Sequence, residues 1–316
     1  MHNRILLFNL LTTLIVTITP VSSQAFSITQ KFKTISDSVA IFFTTHEEVI
    51  KQDIQCSSQS MISVENNYGN ICIKTGWNHD TIALKIIKSA QHENELCKID
   101  TDIDLAKDCI AIKSIGEKNN KVSVDYHLIV PHNMKINLAT DNGSIKVKQY
   151  DGELNITSSS GNVELQHINN KAHIAITSNG SINIDQAAGP VIASTHNGSI
   201  TLNNTKESVH ATTDNGSISL QCAELTDRSD INLSASGTIS LSLPKNEANA
   251  YLKAATENSN GKITSEHSMK LKPRITKVNK KTWKELQRNI EGILGDGQAS
   301  IVLHSCNGPI KILETT

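Results

Sequence analysis

Asn179-Gly180-Ser181-Ile182 recurs as Asn197-Gly198-Ser199-Ile200 and again as Asn215-Gly216-Ser217-Ile218, each time 18 residues later. The same tetrapeptide stands at residues 142–145, and degenerate copies contain the glycines at positions 161 and 237. Successive glycines are separated by 18, 19, 18, 18 and 21 residues, and we expect a turn at each of them: Gly143, Gly161, Gly180, Gly198, Gly216 and Gly237. A repeat of nearly fixed length is typical of an architecture in which one small unit stacks on the next.

Each repeat unit contains two short runs in which apolar and polar residues alternate. In the third complete unit, Ile182 and Ile184 follow the glycine, and Ile174 and Ile176 precede it. Alternation with a period of two, rich in β-branched residues, is the pattern of a half-buried strand. The unit is therefore predicted to be strand, Asn-Gly turn, strand, and then a second turn such as Asp151-Gly152.

Two packings satisfy this pattern. In a meander, each Asn-Gly pair would form a tight hairpin between antiparallel neighbours. In a parallel β-helix, or β-solenoid, each unit would be one coil, and equivalent residues would stack in columns about 4.8 Å apart. The solenoid is favoured, because a coil of altered length breaks its columns and the unit length is nearly constant. The predicted fold class is therefore an all-β solenoid of strand-turn-strand repeats.

The composition of the 316-residue chain fits that fold. Aromatic residues are only 3% of the chain, so the core must be built from Ile, Val, Leu and Ala. The hydrophobic fraction of 38% is too high for general disorder. The formal net charge of −1 argues against a nucleic-acid partner, which needs a basic stripe. The scarcity of aromatic rings also weakens the prediction of sugar binding by stacking.

The sequence divides into an N-terminal targeting segment and a repetitive body. A short positive start, an apolar run over 5–18 and small residues before Ala25 predict a signal peptide over residues 1–25. An irregular or edge segment is expected over 26–59, followed by one solenoid domain over 60–314. An insertion at 262–296 is expected to contain a short helix, because apolar residues recur there at helical spacing: Trp283, Leu286, Ile290 and Leu294. This helix, from about Lys281 to Leu294, would cap one end of the solenoid.

The six cysteines form no C-x-x-C motif, so a redox or zinc motif is not predicted. An even number of cysteines in an exported chain permits disulfides. Cys97 and Cys109 flank a short polar segment and are predicted to form a disulfide. The alternative is that the cysteines are free thiols on strand faces, which suits Cys72.

Several motifs carry a resemblance to a known family. The stretch Tyr126-His127-Leu128-Ile129-Val130-Pro131, the repeat that begins at Asp141 and the terminal Ser305-Cys306-Asn307-Gly308-Pro309-Ile310 resemble the putative-adhesin family. This is a family of bacterial envelope proteins of unknown function with β-strand repeats. The resemblance covers about residues 60–314, and it implies a β-helix-like domain in the cell envelope and carries no catalytic residues.

The sequence predicts no enzyme, cofactor or metal site. Asp141 and Asp214 occupy equivalent turn positions, but four coils at about 4.8 Å would separate them by almost 20 Å. A pair of glycosidase carboxylates lies about 5–10 Å apart. The histidines of the repeat body share no metal-binding spacing and are interpreted as isolated surface residues: His167, His173, His196 and His210.

These observations predict a non-catalytic, exported protein, periplasmic or at the cell surface, with a structural or adhesin-like binding role. The predicted partner is an envelope protein or polysaccharide. A β-helix enzyme acting on envelope polysaccharide and a periplasmic partner in envelope sensing are the alternatives. A basic run over 270–284 is interpreted as a solvated tether, with contact to anionic lipid or polymer as the alternative.

Overall fold

A computed structural model of the chain describes residues 28–31, 45–56, 61–77, 80–106, 108–116, 121–132, 134–169, 173–245, 248–258, 261–272 and 284–315. The predicted signal peptide lies outside the described residues.

The first part of the chain contains eight strands and one short helix. They are β1 (Ile28–Lys31), β2 (His46–Gln55), β3 (Met61–Tyr68), β4 (Ile71–Trp77), β5 (Thr81–Ala90), α1 (Glu93–Leu96), β6 (Ile99–Leu105), β7 (Cys109–Gly116) and β8 (Val122–Pro131).

The repeats seen in the sequence form the next twelve strands. They are β9 (Lys135–Asn142), β10 (Ile145–Tyr150), β11 (Leu154–Ser160), β12 (Val163–Ile168), β13 (His173–Asn179), β14 (Ile182–Ala187), β15 (Val191–Asn197), β16 (Ile200–Thr205), β17 (Val209–Asn215), β18 (Ile218–Cys222), β19 (Asp230–Ala235) and β20 (Ile239–Pro244).

Six further strands complete the chain. They are β21 (Ala250–Thr256), β22 (Ile263–Ser265), β23 (Lys270–Leu271), β24 (Asn289–Leu294), β25 (Ala299–Ser305) and β26 (Ile310–Thr315).

The strands form two long sheets. The order in the first sheet is β1-β2-β5-β8-β4-β10-β12-β14-β16-β18-β20-β26-β22, and the order in the second is β23-β24-β21-β25-β19-β17-β15-β13-β11-β9-β3-β7-β6. Consecutive strands of the repeat alternate between the sheets, and the repeat strands within each sheet are parallel. The predicted solenoid is therefore confirmed, and the hairpin meander is excluded, because β9 and β10 do not pair.

Both ends of the solenoid depart from chain order. A rung is defined here as one strand from each sheet joined by the glycine corner. At one end, the β7/β8 rung lies outside the β3/β4 rung, although it comes later in the chain. At the other end, the last rung of the chain, β25/β26, is inserted between β19/β20 and β21/β22. Antiparallel strands flank the outer rungs: β1, β2 and β5 in the first sheet, and β6, β23 and β24 in the second.

Aliphatic columns fill the space between the sheets. In seven rungs the residue that begins the second strand is almost wholly buried, with no more than 1% of its surface exposed: Ile145, Val163, Ile182, Ile200, Ile218, Ile239 and Ile310. Each fully buried aliphatic side chain of this size contributes about 1.5–3 kcal/mol. Such columns need no aromatic rings, and this accounts for the composition. Tyr126 and Tyr150 are the aromatic residues among the largest fully buried side chains of the described chain.

The glycine corners bring successive rungs unusually close. A Cβ atom on Gly180 would overlap the carbonyl oxygen of Gly161, and equivalent overlaps recur along the column. Beside the glycines, three buried threonines each donate a hydrogen bond to the glycine carbonyl of the neighbouring rung: Thr177, Thr195 and Thr213, with Thr195 Oγ1 lying 2.8 Å from the Gly180 oxygen. On the outside, Asn197 Nδ2 donates to Asn179 Oδ1 at 2.7 Å. Close stacking of the rungs therefore requires the glycine, and the asparagine adds a hydrogen bond between rungs where neighbouring rungs both carry it.

A second column of bends lies inside four strands of the first sheet, β10, β12, β14 and β16. Four non-glycine residues there have φ between +54° and +59°: Gln149, His167, Gln186 and Asn204. The bend places two outward residues in succession and then returns the next side chain to the core, as the buried Ile168 shows after His167. The alternation in the sequence does not reveal this left-handed position.

The segments outside the repeat also form strands. β1 and the ten-residue strand β2 form the edge of the first sheet within the segment 26–59, where an irregular or edge structure is expected. Residues 284–286 are helical, but residues 289–294 form β24, so the C-terminal helix is shorter than predicted. Ile290 and Leu294 face the core side of a strand because β24 pairs antiparallel with β21. Trp283 lies outside the described residues.

In the part of the chain that the structure describes, no helix has the length and apolar character needed to cross a membrane.

Candidate binding groove on the first sheet

A groove lies on the outer face of the first sheet, where its antiparallel strands meet its parallel ones. The groove has a volume of about 310 Å³. Its lining comes from β2, β5, β8 and β4: Lys51, Asp53, Cys72, Lys74, Ala83, Leu84, Lys85, His127, Leu128 and Ile129. We call this surface the basic groove.

Strand alternation aims these side chains outward. In β4, Ile71 and Ile73 are buried, so Cys72 and Lys74 lie on the outer face. The same alternation in β5 and β8 turns Lys85 and His127 outward. The register then joins them in one row, because Lys51 is paired with Lys85, Lys85 with His127, and His127 with Cys72. The row continues into the repeat, where Cys72 is paired with Lys146.

The charges of the groove are unbalanced. Lys51, Lys74 and Lys85 oppose Asp53, so the lining carries 3 − 1 = 2 positive charges when His127 is neutral. Within the described part of the chain, none of the three lysines forms an ion pair. The adjoining Lys146 differs, since its ammonium group lies 2.5 Å from Glu164. The groove is therefore a local positive region on a chain whose formal net charge is −1.

Cys72 and His127 are side by side, but the thiol is not prepared for nucleophilic attack. Burial raises the pKa of Cys72, and the nearby carboxylates of Asp125 and Glu164 act in the same direction, against Lys146 and Lys74. A nucleophilic cysteine needs a lowered pKa, because the thiolate is the reactive form. Cys72 therefore lacks the lowered pKa that a nucleophilic cysteine requires.

Most of the sequence matches a known family. The family described as Toastrack DUF4097 matches residues 60–312, which is most of the chain and includes both the repeat and part of the basic groove. The chain belongs to the Toastrack family. The resemblance seen in the sequence, over about residues 60–314, is thereby confirmed.

Solved structures similar to this Toastrack chain carry adhesion-related descriptions. A putative adhesin from Bacteroides fragilis is 10% identical, with a TM-score of 0.44, and the alignment covers 84% of this chain and 97% of that one. A putative adhesin from Parabacteroides distasonis is also 10% identical, with a TM-score of 0.36 and the same coverage.

A putative cell adhesion protein from Clostridium sporogenes is 12% identical, with a TM-score of 0.27, and the alignment covers 86% of this chain and all of that one. No curated protein matches the sequence. At these identities and TM-scores, the solved structures carry no argument about what the Toastrack chain binds.

The turn glycines predicted from the sequence lie together in the Toastrack fold. Each of the six stands between the two strands of its rung, and together they form one column, whose members are Gly143, Gly161, Gly180, Gly198, Gly216 and Gly237. Asp141 and Asp214 are separated by four rungs, as expected, because the asparagines that follow them are linked through Ser160, Asn179 and Asn197.

The predicted disulfide between Cys97 and Cys109 is wrong. All six cysteines are free thiols. Cys97 precedes β6, and Cys109 begins β7, so the two lie at opposite ends of the antiparallel β6/β7 pair. Seven residues at about 3.3 Å each separate them by about 20 Å, whereas the Cα atoms of a disulfide lie within about 7 Å.

Three of the histidines singled out in the repeat, His167, His196 and His210, are exposed, and two of them contact an acid in the next rung. His196 Nδ1 lies 2.6 Å from Asp214, and His210 Nε2 lies 3.4 Å from Asp230. His167 occupies a left-handed bend, and the side chain of His173 lies outside the described residues. Of the basic run, Lys270 and Lys272 are exposed beside β23, and residues 273–283 lie outside the described part.

Sequence reasoning missed the basic groove, because its residues come from four strands outside the regular repeat. Lys51, Lys85 and His127 are unremarkable in their own segments, and only the order β2-β5-β8-β4 makes them neighbours. The available signal was the alternation in each strand, which gives the outward face but not the pairing.

Proposed function

We propose that this Toastrack protein is an exported, non-catalytic protein of the cell envelope that binds an anionic polymer through the basic groove. The observation that supports this most directly is the juxtaposition of Lys51, Lys74 and Lys85 without ion-pair partners in the described chain. Unpaired lysines in a concave surface attract negative charge and gain little from the protein itself. The signal-peptide pattern over residues 1–25 supports export. The raised pKa of Cys72 supports a binding role for the groove in place of nucleophilic catalysis.

An acidic polysaccharide is the ligand class that fits best. The groove presents three lysines from β2, β5 and β4 on one sheet face, and a chain of repeated carboxylates can contact them over several strands. Few exposed aromatic rings are available for sugar stacking, so charge is expected to dominate the affinity. Binding should therefore weaken as salt rises and screens exposed charges.

The experiment uses the mature chain and fluorescently labelled polygalacturonate, with neutral dextran for comparison. We expect polygalacturonate to bind and dextran not to bind, as measured by fluorescence polarisation. The triple substitution Lys51→Ala, Lys74→Ala and Lys85→Ala should weaken binding more than tenfold. The matched control removes three exposed lysines elsewhere, with Lys206→Ala, Lys253→Ala and Lys262→Ala, and should change affinity less than twofold. If both triple variants lose affinity equally, binding depends on net charge and the groove is not the binding site.

Export and the absence of catalysis are tested separately. Fractionation should recover the protein outside the cytoplasm, and mass spectrometry should find its N-terminus at Phe26. Polysaccharides incubated with the purified protein should release no products. Product release that is abolished by one carboxylate substitution, such as Asp214→Asn, would favour the polysaccharide-degrading alternative.

A further inference from the structure

Three metal-binding side chains converge at the end of the solenoid opposite the basic groove. The carboxylate of Glu257, the imidazole of His304 and the thiol of Cys306 place their ligand atoms within 4.8 Å of one another. His304 Nε2 lies 3.1 Å from Glu257 Oε1. Glu257 is exposed, and the other two side chains are half-buried, so solvent has access to the cluster.

The backbone brings these residues together through the inserted last rung. His304 and Cys306 are two positions apart at the end of β25, so both project from its outer face, on either side of the fully buried Ser305. β21 lies alongside in parallel, with Thr256 paired with Ser305. The next residue, Glu257, donates its backbone N–H to the carbonyl of Ser305 at 3.0 Å, which places its side chain beside Cys306. The arrangement therefore rests on ladder hydrogen bonds.

The donor set selects one class of metal. Thiolate, imidazole and carboxylate are the ligands of zinc sites, at metal–ligand distances of about 2.0–2.3 Å. Two such ligands on a tetrahedral ion lie about 3.4 Å apart, close to the separation of the His304 and Glu257 atoms. Calcium and magnesium prefer oxygen ligands alone. A salt bridge beside an unrelated thiol would explain His304 and Glu257, but not the position of Cys306 within reach of both.

We propose that Glu257, His304 and Cys306 bind Zn²⁺, with water as the fourth ligand. His304 ligates through Nε2 and keeps its proton on Nδ1, and the Cys306 thiol releases its proton to solvent when the metal binds. The ion joins the end of β21 to the end of β25. These strands belong to the two rungs whose order in space reverses their order in the chain, so the metal holds the inserted rung in place. This site is independent of the proposed groove.

The test uses the full mature chain under reducing conditions, with Zn²⁺ in calorimetry and Co²⁺ in absorption spectroscopy. Co²⁺ bound to the site should give the near-ultraviolet charge-transfer band of a cobalt–thiolate bond. Cys306→Ser should abolish the band, and His304→Gln should weaken Zn²⁺ binding more than tenfold. The matched controls are Cys97→Ser, which removes an exposed thiol from the other end, and His196→Gln, which removes an exposed histidine paired with Asp214.

Both controls should retain the band and the affinity, as should the triple lysine variant of the basic groove. Circular dichroism without metal establishes that each variant is folded. The proposal is overturned if the wild-type chain binds no Zn²⁺ at micromolar concentration. It is also overturned if the band persists in Cys306→Ser or disappears in Cys97→Ser.

Discussion

Gly180 lies so close to Gly161 in the neighbouring rung that a Cβ atom on Gly180 would overlap the Gly161 carbonyl oxygen. That oxygen belongs to the backbone and accepts a hydrogen bond from the buried Thr177, at 3.1 Å, so it cannot move aside without cost. We expect Gly180→Ala to destabilise the fold by roughly 1–3 kcal/mol, the usual effect of overpacking. Urea denaturation followed by circular dichroism measures it.

The matched control for the glycine is Ser178, an exposed residue of the same rung. Ser178→Ala should change stability by less than about 0.5 kcal/mol, as surface substitutions usually do. If both variants unfold at the same urea concentration, the close approach of the glycine corners does not contribute to stability.

Deletion of residues 181–198 should leave a folded protein that is one rung shorter. The deletion joins Gly180 to Ser199 and so restores the Asn-Gly-Ser sequence at the corner. β16 would then pair with β12 in the register that β14 had, because Ile182 and Ile200 occupy the same column. Cooperative unfolding by circular dichroism is the expected result.

Half a rung cannot be removed in the same way. Deletion of residues 182–190 would remove β14 and join two strands that both belong to the second sheet. We expect this variant to aggregate or to lose cooperative unfolding. A folded half-rung variant beside an unfolded full-rung variant would contradict the solenoid.

Gln186 has φ = +59°, a conformation that costs a residue with a Cβ atom about 1–2 kcal/mol. Gln186→Gly should therefore stabilise the protein or leave it unchanged, although glycine loses more entropy on folding. Gln221 provides the comparison, because it is exposed on β18, where the register with β16 shifts and the extra bend residue is missing. Gln221→Gly should lower stability by about 0.5–1 kcal/mol. Thermal unfolding of the two variants gives the difference, and an equal loss in both would contradict the left-handed bend.

The repeat could be predicted from the sequence because it is a local pattern copied at a constant interval. Each alternating apolar run after a glycine predicts one strand from local sequence alone. The constant spacing between runs favours a packing in which equivalent residues stack in columns. The Asn-Gly pair was ambiguous, since a hairpin and a solenoid corner use the same residues for different physical reasons. In the hairpin, glycine supplies a backbone angle, whereas in this solenoid it supplies space between rungs and, at Gly143, Gly161 and Gly198, a positive φ as well.

The ends could not be predicted, because their order is set by pairing between distant segments. Nothing local to β25 and β26 shows that they insert between two earlier rungs. Ile290 and Leu294 have helical spacing, but they also alternate with outward residues once β24 pairs with β21. Both candidate sites lie at the two ends of the solenoid, where the rungs depart from chain order. The sequence therefore indicated neither the basic groove nor the convergence of Glu257, His304 and Cys306.

The six thiols should be free, and they should differ in reactivity. Cys97 is exposed, whereas Cys222 is buried. Iodoacetamide at neutral pH should label Cys97 in the native protein within minutes and should label Cys222 only after unfolding. Mass spectrometry of the unreduced protein identifies which cysteines are labelled in the native and in the unfolded state. A peptide pair linked through Cys97 and Cys109 would contradict the register of β6 and β7.

Cys222 should also make the stability depend on alkaline pH. Burial raises the pKa of this thiol from 9.0 to about 11, against a smaller opposing effect of its hydrogen bond with Thr205. Between these values the unfolded chain loses the thiol proton and the folded chain keeps it, so the free energy of unfolding falls as the pH rises. Two pKa units correspond to a loss of at most about 3 kcal/mol between pH 9 and pH 11.

Cys222→Ala should flatten this pH dependence, even though the substitution itself lowers stability at every pH. Cys97→Ala removes an exposed thiol and is the matched control, which should leave the slope of the wild-type protein unchanged. Urea denaturation at pH 8, 9, 10 and 11 measures the three slopes. The buried tyrosines, Tyr126 and Tyr150, have raised pKa values for the same reason and contribute equally to all three proteins. The difference between the slopes of wild type and Cys222→Ala therefore isolates the thiol, and identical slopes would show that Cys222 is accessible to solvent.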